Sequence, residues 1–97
     1  MRNIRSYLIF FADDSEGYTE GEVSSQSDWW SVWPGATVGG QVTTEQANSG
    51  AQSVKISGDI AGQDALVLLG DRTEGHFITT WQMYVPEGSN AYFNIQH

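Results

Sequence analysis

Hydrophobic and polar residues alternate most regularly between Gly75 and Gln96. Side chains on a strand point to opposite faces in turn. Phe77, Thr79, Trp81, Met83 and Val85 therefore share one face, and His76, Ile78, Thr80, Gln82 and Tyr84 share the other. Pro86 has no N–H to give to a ladder and ends this strand. Glu87-Gly88-Ser89-Asn90 supplies turn chemistry. The alternation then resumes, with Phe93 and Ile95 on one side and Tyr92, Asn94 and Gln96 on the other. The pattern predicts two strands joined by a turn. One face, large and apolar, belongs on a core; the other, polar and aromatic, is left to touch something.

Earlier in the chain the same reading predicts shorter strands. Residues 3–12 are apolar on both faces toward their end and read as a buried strand. Residues 13–22 are acidic, contain Gly17 and Gly21, and read as a loop. Residues 24–40 form a long connection with a short strand around Trp29 to Trp33. Strands are expected over 41–45 and 51–57, the second with Val54 and Ile56 inward and Ser53, Lys55 and Ser57 outward. Residues 64–69, apolar on both faces, are expected to be a central strand. No segment shows a capped 3.6-residue apolar period. The expectation is one all-β domain over 1–97, an antiparallel β-sandwich of jelly-roll type with almost no helix. Phe77, Trp81, Met83, Val85, Phe93, Ile95, Val54 and Ile56 are its expected core.

Composition narrows the partners. Twelve acidic residues against four basic ones give a net charge of -8. A polyphosphate would be repelled, which argues against nucleic acid. Cysteine is absent, so disulfides and thiolate metal sites are excluded. No stretch approaches the roughly 20 apolar residues of a membrane helix. Arg2 and Arg5 precede the apolar run from Tyr7 to Ala12, but that run falls short of the roughly 7–15 residues of a signal-peptide core.

Several short motifs occur in a telling order. Phe11-Ala12-Asp13-Asp14-Ser15-Glu16-Gly17-Tyr18 is followed by Gly21, Trp30 and Trp33. Val42-Thr43-Thr44-Glu45-Gln46-Ala47-Asn48-Ser49-Gly50 and Ser53-Val54-Lys55-Ile56 come next. Met83-Tyr84-Val85-Pro86-Glu87-Gly88 and Ala91-Tyr92-Phe93-Asn94-Ile95-Gln96 complete the set. This order resembles the concanavalin A-like lectin and glucanase jelly rolls of secreted Bacteroidetes-type proteins. The resemblance implies a jelly roll, secretion, carbohydrate as ligand and a structural calcium near the first strand. It also implies that the chain spans about the first half of such a sandwich. Ser15 stands where that pattern usually has an aromatic residue.

Three groups of residues carry candidate chemistry, each with a plainer reading beside it. Asp13, Asp14 and Glu16 offer hard oxygen ligands to calcium, though without the regular spacing of an EF-hand loop. Their plainer reading is a solvated acidic loop that discourages edge pairing. Trp29, Trp30 and Trp33 could stack on a pyranose ring, or anchor a core. Gln82, Tyr84, Tyr92 and Asn94, with Thr80 and Gln96, offer amides and hydroxyls on an aromatic floor suited to a polysaccharide, or form an ordinary polar face. His76 and His97 have no nucleophile near them in the sequence and support no triad.

Glycoside hydrolysis needs paired carboxylates across the scissile bond. Retaining glucanases of the resembled family carry E-x-D-x-x-E on one strand, and no such triplet is present. The expected function is therefore a non-catalytic carbohydrate-binding module. A self-associating domain without a small ligand is the alternative. Strands apolar on both sides need cover, so a homo-oligomer is expected, most simply a dimer with residues 75–96 at its interface.

Overall fold

The computed structural model describes residues 11–96. Among them there is no helix, and so none long and apolar enough to cross a membrane. Five short strands are present: β1 (Gly21–Glu22), β2 (Trp30–Ser31), β3 (Gln41–Thr43), β4 (Ser53–Lys55) and β5 (Leu66–Val67). They form two small antiparallel sheets, one of order β1-β3-β4 and one pairing β2 with β5. The fold is all-β.

β3 and β4 form where alternation is clean. Val42 lies opposite Val54, with Gln41 facing Lys55 and Thr43 facing Ser53. β1 adds to the far side of β3, and the Val23 N–H extends that pairing by donating to the Gly40 carbonyl at 2.9 Å. In the second sheet Trp30 faces Val67 and Ser31 faces Leu66, and the Leu68 N–H donates to the Trp29 carbonyl at 2.8 Å.

Among the described residues the buried hydrophobic side chains are Val23, 1% exposed, and Val42, 3% exposed. Beside them lie Gly39 and Gly40, both buried. A Cβ on Gly40 would collide with Val54 and lie 3.5 Å from the Ala65 methyl. One on Gly39 would lie 2.6 Å from Val32. The two sheets therefore meet at this glycine pair, where only hydrogen fits. Gln63 reinforces the junction: its Nε2 donates to the Gly39 carbonyl at 2.7 Å and its Oε1 accepts from the Ser57 N–H at 2.7 Å.

The core differs from the one the sequence pattern predicts. Phe77, Trp81, Met83, Val85, Phe93, Ile95 and Ile56 are exposed, and Val54 is half-buried. Residues 75–96 form no strand. They keep the expected turn, since Ser89 N–H donates to the Pro86 carbonyl at 3.0 Å. They also keep one cross-arm contact, Trp81 against Phe93 edge to face at 4.3 Å. The physical reason for the difference is cover. A two-armed hairpin without a third strand or an opposing layer is marginal in water. Residues 64–69 depart in the same way. The strand is Leu66–Val67 alone, paired on one side and extended by the Leu68 N–H, and the Leu68 and Leu69 side chains are exposed. The strand expected over 3–12 lies outside the described residues but for Phe11 and Ala12.

Candidate functional site

The acidic loop after Phe11 is built by its own side chains. Asp13 Oδ1 accepts from the Ser15 N–H at 2.7 Å, and Asp14 Oδ1 accepts from the Glu16 N–H at 3.0 Å. The first of these bonds turns Ser15 into the left-handed region, at φ 68°. A side chain rarely adopts that conformation unless a local bond holds it, and serine offers little bulk to resist. Asp13 Oδ2 takes two more donors, the Tyr18 hydroxyl and the Trp30 indole N–H, the latter at 2.9 Å. Burial raises the Tyr18 pKa, and its hydrogen bond to the Asp13 carboxylate raises it further, so the phenol stays a donor through the neutral range.

The far side of the loop is tied to the start of β4. Glu16 Oε1 accepts from the Ala51 and Gln52 N–H groups at 2.8 and 2.9 Å. Gln52 Nε2 returns two bonds, to the carbonyls of Ser15 and Tyr18 at 2.9 and 2.8 Å. Gly50, at φ 64°, lets the chain pass beneath Glu16, where a Cβ would collide with the carboxylate.

Next to this loop is an open cleft of about 490 Å³, lined by Ala12, Asp13, Asp14, Gly17, Tyr18 and Trp29. Trp29 is 41% exposed and leans on Phe11, with ring centroids 5.1 Å apart at 54°. The cleft thus has an aromatic wall, a phenol and two carboxylates. Asp14 Oδ2 has no hydrogen bond among the described residues, which leaves it open to a ligand donor. A second hollow, of about 250 Å³, is lined by Gly35, Ala36, Thr37, Val38, Ala61 and Gly62 and presents no ionisable group.

The structure brings some of the candidate residues together and leaves others apart. Trp29, Asp13 and Asp14 share the cleft, and Trp30 supports it through Asp13. Trp33 is elsewhere, donating its indole N–H to Asp64 Oδ2 at 2.9 Å. Gln82, Tyr84, Tyr92 and Asn94 are exposed on the segment after residue 75, and no hydrogen bond or ring contact joins them to the tryptophans. Asn94 accepts from Gln96 at 3.3 Å.

Asp13, Asp14 and Glu16 lie on one loop. Their oxygens turn to different donors, and among the described residues no group of three or more His, Cys, Asp or Glu side chains could hold a metal ion. Tyr18 and Phe11 were not legible as site residues. Nothing in their spacing marks a phenol that pins an aspartate or a ring that braces a tryptophan. No family model, curated protein or solved structure matches the chain.

Proposed function

We propose that the protein is a non-catalytic carbohydrate-binding module whose sugar site is the cleft beside Trp29. The observation that carries this reading is the exposed Trp29 indole lining one cleft together with Tyr18, Asp13 and Asp14. An aromatic face suits the C–H face of a pyranose, and the open oxygen of Asp14 suits a sugar hydroxyl. The negative charge of the cleft and of the whole chain favours a neutral polysaccharide over one bearing uronate or sulfate. The order of motifs that resembles concanavalin A-like domains points to the same ligand class. A hydrolase would need two available carboxylates. Asp13 has both oxygens engaged with Ser15, Tyr18 and Trp30, which supports binding without cleavage.

A glycan array followed by titration of the retained neutral glycan tests the proposal. Trp29→Ala is expected to weaken binding about tenfold or more, equivalent to roughly 1.4 kcal/mol. Trp33→Ala is expected to leave binding unchanged. An array with no retained glycan, or affinity indifferent to Trp29→Ala, overturns the reading. Self-association is the second reading, favoured by the apolar segment that follows β5.

A further inference from the structure

The largest surface without a role is apolar. Among the described residues nine large hydrophobic side chains between Phe77 and Ile95 are exposed, Ile95 at 71%. Isolated exposed hydrophobics are ordinary, but a run of this density marks an interface. The segment also has hairpin shape without hairpin bonding. The Ser89 to Pro86 bond is its one backbone–backbone hydrogen bond between residues 74 and 96 among the described residues. Apolar residues at period two, on a backbone otherwise without backbone partners among the described residues, form a template for strand addition.

Area and charge indicate what occupies it. The chain exposes 8319 Å². A compact protein of its 10.7 kDa exposes about 5,500 Å². Even if the eleven terminal residues take the full surface of an extended chain, about 2,100 Å², the rest exceeds the roughly 5,000 Å² of a compact protein of its mass by about 1,200 Å². An interface of ordinary size takes about 800 Å² from each partner. Residues 75–96 hold one carboxylate, Glu87, and no lysine or arginine, although the chain has 12 acidic residues. A charged partner finds no complement on such a segment. Two copies can meet along it while their carboxylates stay apart.

We propose that residues 76–96 are the interface between two copies of this chain. The copies are related by a two-fold axis and pair edge to edge, so that the same segment serves both sides. Pairing supplies each hairpin with the ladder it lacks, and the side chains of Phe77, Trp81, Phe93 and Ile95 of the two copies pack side by side across the shared edge. The sugar cleft does not enter this interface, and neither proposal depends on the other.

Sedimentation equilibrium on the full chain, from about 1 to about 100 µM, a range that brackets ordinary micromolar association, is the direct test. A single monomer–dimer equilibrium is expected, with Phe93→Glu weakening it at least tenfold. Hydrogen exchange on the wild-type chain is the second measurement, and it decides the matter even if the variant fails to fold. Amides of residues 76–96 are expected to gain protection as the dimer forms. A monomer throughout the range, open-ended higher oligomers, or a dimer in which those amides stay unprotected each overturns the proposal.

Discussion

Carboxylates in this chain serve chiefly as acceptors that hold loops to strands. Glu22 is the most heavily used. Its Oε1 accepts from the Gly39 N–H at 2.7 Å and from Gln41 Nε2 at 3.2 Å, and its Oε2 accepts from the Ser24 N–H and hydroxyl at 3.2 and 2.8 Å. Burial alone would raise its pKa, but the bonds from Gly39, Ser24 and Gln41 outweigh burial and hold it below its ordinary 4.5. A carboxyl with a depressed folded pKa adds stability while it is ionised. That contribution is complete above the unfolded pKa and disappears as pH falls through the lower, folded value. Glu22→Gln removes the ionised acceptor, so the variant is expected to melt below the wild type at neutral pH. The gap should close as pH drops below 4.5. Thermal melts of both proteins across that window check it; a gap independent of pH would mean that the ionised form is not what holds Gly39 and Ser24. The exposed Glu45–Lys55 pair, 2.9 Å apart, lowers the Glu45 pKa through its hydrogen bond and charge, yet exposed pairs of this kind add little to stability.

At the scale of elements, the parts legible in the sequence are those whose cause is local. Gln41-Val42-Thr43 and Ser53-Val54-Lys55 alternate cleanly, and both are strands that place Val42 against Val54. β1 was illegible because Gly21 and Glu22 carry no apolar signal. It exists through the Val23 to Gly40 backbone bond and the polar bonds of Glu22, none of which hydrophobic periodicity reports. The site was half legible for the same reason. Tryptophan and acidic residue types flagged Trp29, Asp13 and Asp14, while the hydrogen bonds that place them come from Ser15 and Tyr18 to Asp13, from the Glu16 N–H to Asp14, and from the Trp29 N–H to the Ser27 hydroxyl. The segment after residue 75 shows the opposite limit. Its alternation is the strongest in the chain, but alternation fixes which face is apolar and not what covers it. Stability should follow the observed core. Val42→Ala is expected to cost about 1.5–3 kcal/mol, the value of burying such a side chain. Trp81→Ala in dilute, monomeric protein should cost less than about 0.5 kcal/mol, as for a surface change. Denaturant melts of the two variants at low concentration separate these cases, and a larger loss from Trp81→Ala would place the core in the hairpin after all.

For the molecule as a whole, charge and apolar surface pull in opposite directions. Each copy carries a net charge of -8, so two copies repel as they approach. The segment through which we propose that they meet is nearly uncharged, so its attraction comes from removing apolar area from water and is not weakened by salt. Salt therefore acts mainly on the repulsion. The screening length shrinks from about 30 Å at 0.01 M to about 8 Å at 0.15 M ionic strength, while the chain measures 52 Å along its longest axis. Most of the repulsion between the acidic bodies is long-range on that scale and is lost over this interval. Dimerisation is accordingly expected to tighten on adding salt, and the melting temperature to rise with protein concentration at every ionic strength because association stabilises the folded state by mass action. Sedimentation equilibrium repeated across the interval reads the first effect. If association weakened with salt instead, opposite charges would be holding the copies together. The contact would then have to include lysine or arginine side chains, which residues 76–96 do not contain, and the interface would lie on another face of the chain.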